Sequence, residues 1–151
     1  MKRLIHIVFT GMCMVLLLTT ACSETQITTG NPVPALQLQN LTPTNLQQFK
    51  DSVTVTLMYE DGDGDLGFEN ADINSLEVQD DRLSKPDYYY VAPLAPLTAK
   101  IHIKGTLALK LRNLFLLGTG NAETTVLRLR IKDRAGNWSN TVTTPEITIR
   151  K

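Results

Sequence analysis

The stretch SVTVTLMYEDGDGDLG, residues 52–67, decides the fold of this chain. In its first half, large apolar side chains alternate with threonine and methionine, so that one face of the segment carries Val53, Val55, Leu57 and Tyr59. A period of two is typical of a β-strand with one buried face. In the second half, aspartates alternate with glycines, which favours a tight loop. The stretch therefore predicts a half-buried strand that runs directly into an acidic loop.

The same period of two recurs along the chain, and no segment has a convincing helical period. Further short alternating or apolar runs lie at residues 35–39, 75–79, 88–91, 100–111, 125–132 and 141–149. About seven short strands separated by turn residues predict an all-β protein, an antiparallel immunoglobulin-like β-sandwich that spans residues 34–151. Residues 112–117 fit either a strand or a helical turn.

The first 21 residues have the pattern of a secretory signal peptide. Lys2 and Arg3 precede an apolar run at residues 4–18, which is shorter than the ~20 residues of a membrane-spanning helix. Small residues then lead to Cys22, and this arrangement resembles the cleavage and acylation site of bacterial lipoproteins. The resemblance implies that residues 1–21 are removed and that Cys22 carries the lipid. A plain secreted protein and an uncleaved anchor are the alternatives.

Residues 22–33 then comprise the lipidated cysteine and a short tether, whose residues are polar, small and bounded by proline. Residues 23–33 reach at most about 35–40 Å, because an extended chain spans ~3.5 Å per residue. Ser23 stands where many inner-membrane lipoproteins carry aspartate, so by analogy we expect the cell outer membrane. The membrane is thus one expected partner, contacted through the lipid anchor.

Composition limits the remaining possibilities. Removal of 21 of the 151 residues leaves 130, enough for one domain with its own core. With Cys22 acylated, no second thiol remains for an intramolecular disulfide. Of the 15 lysines and arginines, two belong to the signal peptide, so 13 remain against 15 acids, a net charge of −2. This balance gives no support for a nucleic-acid partner.

The acidic loop is a candidate calcium site. Alternate aspartates with glycines between them can direct several carboxylates at one point, as a hard cation requires. In the register of an EF-hand loop, Asp61, Asp63 and Asp65 take the first, third and fifth positions, and Asp72 takes the twelfth. Leu66 replaces the glycine at the sixth position and a strand precedes the loop, so a true EF-hand is not expected. The alternative is a solvated Asp-Gly turn without an ion.

Asp133 is the fifth candidate ligand, on topological grounds. If residues 52–59 and 125–132 are strands B and F of an immunoglobulin-like fold, the loops that follow them lie at the same end of the sandwich. Asp133 opens the second of these loops and could complete the site. The predicted calcium ligands are therefore Asp61, Asp63, Asp65, Asp72 and Asp133.

Two segments also carry a family resemblance. DGDGDLG at residues 61–67 and IKDRAGNWSNTVTTPEITI at residues 131–149 resemble segments of uncharacterised envelope lipoproteins of the Bacteroidota type. The second segment is also similar to the last strands of bacterial immunoglobulin-like and fibronectin-III-like modules. The resemblance implies an immunoglobulin-like sandwich on a lipid anchor, and it implies no activity.

Two hypotheses about function follow. The first is a non-catalytic, lipid-anchored envelope module that binds an unknown envelope protein or glycan, with calcium stabilising the loop end near the tether. The alternative is a small glycan-acting hydrolase that uses paired acids from residues 61–81. Such an enzyme needs two carboxyl groups across a cleft. A small sandwich whose acids crowd into a glycine-rich loop offers little cleft, which favours the first hypothesis.

Overall fold

The computed structural model describes residues 30–112 and 114–151. The predicted signal peptide, the predicted acylation site Cys22 and the tether up to residue 29 lie outside the described residues. Within the described part, every regular element is a β-strand, which confirms the all-β prediction. In these ranges no helix has the length and apolar character needed to cross a membrane.

The described residues form ten strands, not the seven or so that the sequence predicts. They are β1 (Ala35–Thr42), β2 (Asn45–Gln47), β3 (Val53–Asp61), β4 (Asn74–Asp80), β5 (Asp87–Tyr90), β6 (Ile103–Leu111), β7 (Ala122–Thr125), β8 (Leu127–Ile131), β9 (Val142–Thr143) and β10 (Ile147–Arg150).

The strands form a sandwich. One layer has the order β1-β3-β6 and the other has the order β5-β4-β8-β9, with antiparallel pairing throughout both. A small third sheet, β2-β10-β7, contains the only parallel pair among the described strands, β2 with β10. This arrangement confirms the predicted β-sandwich.

The higher strand count arises because one predicted strand is interrupted and two short strands, β2 and β7, were not predicted. The predicted run at 125–132 corresponds to β8, which pairs with β4, whereas β7 lies before it, shares only Thr125 with it and pairs with β10. The run at 141–149 divides into β9 and β10, and Pro145 lies in the break. A proline lacks the amide hydrogen that a central strand position would donate, so strand pairing is interrupted at Pro145.

The core consists of the inward-facing residues of both layers, and β3 contributes its central row. Val53, Val55 and Leu57 are fully buried, as the alternation predicts. Among the described residues, the buried apolar side chains run from Leu36 to Ile149 and form one cluster. Residues 30–151 therefore carry a continuous apolar core of their own, as a folding domain requires.

The two ends of the sandwich differ. We call the end that carries residues 61–67 and 132–137 the loop end. At the opposite end, which we call the tip, the turn at residues 47–51 precedes β3 and residues 114–117 follow β6. The register defines these ends, because Val53 pairs with Leu111 at the tip whereas Asp61 pairs with Ile103 at the loop end.

Candidate metal centre at the loop end

Two rows of core-facing side chains each end in an aspartate at the loop end. On β3 the buried positions alternate up to Tyr59, and Asp61 occupies the next inward position with 1% of its surface exposed. On β8 the row of Leu127, Leu129 and Ile131 continues to Asp133, which is fully buried. Two carboxyl groups are therefore placed at the edge of an apolar core.

Asp61, Asp63 and Asp65 converge at this edge. One carboxylate oxygen from each lies within 4.8 Å of the other two. This separation is about twice the length of a calcium–oxygen bond, so a single ion between the oxygens could contact all three. The structure thus brings three of the predicted ligands together.

The hydrogen bonds of the loop leave one oxygen of each of these carboxylates without a partner. The amide of Asp65 donates to Oδ2 of Asp61 at 2.8 Å, and the amide of Ala135 donates to Oδ2 of Asp65 at 3.0 Å. The Oδ1 atoms of Asp61, Asp63 and Asp65 are buried and accept no hydrogen bond from the described residues. Buried acceptors without a donor are rare and costly, so this group requires an explanation such as a bound ion.

The electrostatics of the group are unfavourable without a cation. Burial is the largest cause that raises the pKa of Asp61 to about 6, and the charges of Asp63, Asp65 and Asp133 raise it further, against the hydrogen bond from the Asp65 amide. Burial also raises the pKa of Asp65, and Asp133 and Asp63 act in the same direction. A divalent cation would reverse this repulsion.

Asp133 lies beside the group but is already satisfied by its own loop. Leu66 and Asp133 form an isolated antiparallel bridge, so the two loops do meet. Both oxygens of Asp133, however, accept hydrogen bonds from Asn137, one from the amide at 2.7 Å and one from the side-chain nitrogen at 2.9 Å. Asp133 acts on the group through its charge and lies outside the set of three converging oxygens.

Asp72 is farther along the chain and is exposed in the turn before β4. Its amide donates to the side chain of Asn70 at 2.9 Å, a local turn contact. The structure does not place Asp72 in the converging group. The EF-hand register fails here because β4 begins at Asn74 and the chain has already left the loop.

Arg134 holds the acidic loop from outside and was not singled out by the sequence. Its guanidinium donates to the carbonyl oxygens of Gly67 at 2.9 Å and of Leu66 and Gly64 at 3.4 Å each. Its amide also donates to the carbonyl of Asp65 at 3.2 Å. The sequence signal for this role is that Arg134 directly follows Asp133, but it can be used only once the two loops are known to meet.

Two glycines are required by close contacts at the loop end. Gly64 has φ +73, a left-handed conformation that glycine adopts without strain. Gly62 donates its amide to the carbonyl of Asn31 at 2.9 Å, and a side chain at Gly62 would collide with Gly30 and Asn31. The last residues of the tether therefore pack directly on the loop. The contact point is Gly62, which lies between Asp61 and Asp63 in the sequence.

Comparisons of the chain with protein-family models, with curated proteins and with solved structures found no match.

Proposed function

We propose that this chain is a non-catalytic, lipid-anchored module of the cell envelope whose sandwich is stabilised by calcium bound at the loop end. The observation that carries the metal site is the set of three unpartnered, buried Oδ1 atoms of Asp61, Asp63 and Asp65. The anchor and the outer-membrane location come from the signal pattern and Cys22 in the sequence.

Calcium suits this group better than other common ions. Carboxylate and carbonyl oxygens are its preferred ligands, and its coordination shell of six to eight oxygens tolerates an irregular loop. Neither histidine nor a thiol belongs to the converging group, so the ligand set does not favour zinc. The three carboxylates would supply part of the shell, and backbone carbonyls and water would supply the rest.

The proposed ion has a structural role. The three Oδ1 atoms are closed off from solvent, so an ion among them would be enclosed and would not present a coordination site to an outside ligand. It would hold the loop against residues 132–137 and against the tether residue Asn31. Calcium would thereby order the sandwich at the point where the chain arrives from the lipid.

The separation of the acids counts against the glycan-hydrolase alternative. Asp61 lies at the loop end, whereas Asp80 pairs with Leu127 farther along β4 and Leu76 pairs with Ile131 near the loop end. Asp80 therefore lies about 13 Å along β4 from the level of Leu76, which is near the loop end where Asp61 lies. The two acids of a glycosidase are only roughly 5–9.5 Å apart. Asp80 is also bound by Arg82 at 2.7 Å, and Asp81 by Arg128 at 2.8 Å.

Thermal unfolding of residues 30–151 in EDTA and in added calcium tests the metal site. A ligand that binds only the native state at 100 times its Kd adds about 2.7 kcal/mol, so the midpoint should rise with the logarithm of free calcium. Magnesium should raise it less, because its rigid octahedral shell fits an irregular loop poorly.

Asp61→Asn keeps the shape of the side chain and removes its charge, so this variant should lose the response to calcium. Asp72→Asn is the matched control, because Asp72 is exposed and outside the converging group, and it should respond like the parent. Equal midpoints of the parent protein in EDTA and in calcium would refute the site.

A further inference from the structure

The tip carries an exposed aromatic pair that the metal site does not involve. Phe49 is 82% exposed, and its ring stacks on that of Phe115, with centroids 6.0 Å apart and planes inclined by 13°. Phe115 is itself 41% exposed, and the neighbouring Leu117 is 46% exposed. These three side chains make an apolar knob at the tip.

The backbone holds Phe49 in an unusual conformation. Its φ of +61 lies in the left-handed region, where a bulky side chain is strained. The turn around it is closed by hydrogen bonds from the amides of Lys50 and Asp51 to the carbonyl of Gln47, and by the amide of Gln47 to Oδ2 of Asp51 at 2.8 Å. Strain that the surroundings maintain at an exposed aromatic residue is a marker of function.

The other half of the pair is fixed as well. The side chain of Gln48 accepts a hydrogen bond from the amide of Leu116 at 3.1 Å, which ties the two segments together. Arg82 donates to the carbonyl of Phe115 at 3.0 Å while it is bound to Asp80. The apolar knob is therefore held in place before any partner binds, which lowers the entropy cost of binding.

Positive charge surrounds the knob. Four exposed cationic residues lie on the segments that meet at the tip, and none forms an ion pair with a described residue: Lys50, Lys110, Arg112 and Arg150. The nearby acids are engaged, because Glu123 binds Arg82 and the amides of residues 117 and 118, and Asp51 caps the turn. The tip thus has an excess of unpaired positive charge.

We propose that the tip is a docking surface for the anionic surface of a lipid membrane. Aromatic and leucine side chains partition into the boundary between headgroups and acyl chains, and lysines and arginines around them are attracted to anionic lipids. The combination of an apolar knob with unpaired cations fits this surface. A soluble polyanion would meet the cations but would leave the phenylalanines in water.

This contact is distinct from the expected lipid anchor and from the proposed calcium site. The chain enters the sandwich at the loop end, where Ala35 pairs with Glu60, and the tip lies at the other end of β3. Residues 30–151, which lack Cys22, can therefore be tested for this contact alone.

The test is co-sedimentation of residues 30–151 with vesicles. Equal parts of phosphatidylglycerol and phosphatidylcholine should retain the protein at low ionic strength, and phosphatidylcholine alone should retain much less. Arg112→Glu and Lys50→Glu should each weaken binding at least about fivefold, because each cation near an anionic surface contributes that factor. Phe49→Asn should also weaken binding, and since asparagine tolerates the left-handed conformation, this variant should keep the fold.

The controls lie away from the tip. Lys100→Glu changes an exposed charge next to Ile101, which contacts Gly64 at the loop end, and Leu97→Ser removes an apolar side chain that is 45% exposed. Both should bind like the parent. Equal retention on both vesicle types, losses as large in the controls, or binding to a soluble anionic polysaccharide without binding to vesicles would each overturn the proposal.

Discussion

At the scale of single residues, three buried aspartates differ in how their charge is compensated. Asp80 is bound by Arg82, and Asp133 accepts two hydrogen bonds from Asn137. Asp61 accepts only the amide of Asp65, and its second oxygen is without a partner among the described residues. Because two of the three are fully engaged by the chain, the exception at Asp61 is the strongest local indication of a bound cation.

Arg82→Met should reveal how much the buried pair contributes. Removal of one partner from a buried pair typically costs about 3–5 kcal/mol, because the other charge is left uncompensated. Arg128→Met is the matched control, since its pair with Asp81 is more exposed and should contribute less than about 1 kcal/mol. Urea unfolding of both variants at neutral pH measures the difference, and equal losses would contradict the prediction.

The same variant has a definite pH dependence. Burial alone would raise the pKa of Asp80, but the hydrogen bonds from Arg82 and Thr125 outweigh it and lower the pKa below the ordinary value of 3.8. The pair therefore stabilises the fold above that value, and its contribution is lost as the pH falls through the lower folded pKa. The stability gap between parent and Arg82→Met should narrow in acid, and a gap that widens there would be inconsistent with this pairing.

At the scale of elements, the loop end is built from three separate segments. The acidic loop after β3 contacts residues 132–137 through the bridge of Leu66 with Asp133, and it contacts the tether through the bond from Gly62 to Asn31. These segments belong to different parts of the chain and meet only because β3 and β8 end on the same side of the sandwich. The conformation of the acidic loop should therefore depend on all three segments.

Gly62→Ala should separate the tether from the loop. The added methyl group would collide with the backbone of Gly30 and Asn31, so these residues must move away. We expect a loss of about 1–3 kcal/mol, typical of overpacking, and faster hydrogen exchange at the amide of residue 62. Gly120→Ala is the control, because the nearest atom to its added methyl is the carbonyl of Ala122 at 3.6 Å. Unchanged exchange at residue 62 would count against a docked tether.

At the scale of the whole molecule, the two ends of the sandwich have opposite chemistry. Carboxylates converge at the loop end, whereas unpaired cations and exposed phenylalanines lie at the tip. The nine residues of β3 set about 30 Å between these ends. The formal net charge of the full chain is zero, so this polarity is hidden in the composition.

The lipid anchor can be tested separately from the tip by fractionation of cells that express the full chain. The parent should stay in the membrane fraction after a high-salt wash, because an acyl anchor is insensitive to ionic strength. Cys22→Ser should fail to incorporate a labelled fatty acid, because the thiol that would carry the lipid is absent. Incorporation of the label into Cys22→Ser would argue against acylation at this position.

The strands were predictable because their signal is local. Alternation from Val53 to Tyr59 identified β3 and its buried face, and the row reaches Asp61 at the same period. Pro145 lies in the break that separates β9 from β10, and proline is a local signal for such a break. The strand count was too low because β2 and β7 have only three and four residues, too few for a local pattern, and both exist through their pairing with β10.

The sequence by itself determined the β-sandwich class, the acidic loop and the candidate aspartates, since each depends on side-chain order within a few residues. Only the tertiary structure decided that Asp61, Asp63 and Asp65 converge, that Asp72 stays apart, and that Asn137 satisfies Asp133. It also brought Phe49 and Phe115 into contact at the tip. The physical reason is that burial and hydrogen-bond satisfaction depend on contacts between segments far apart in the chain. The register of the strands brings those segments together.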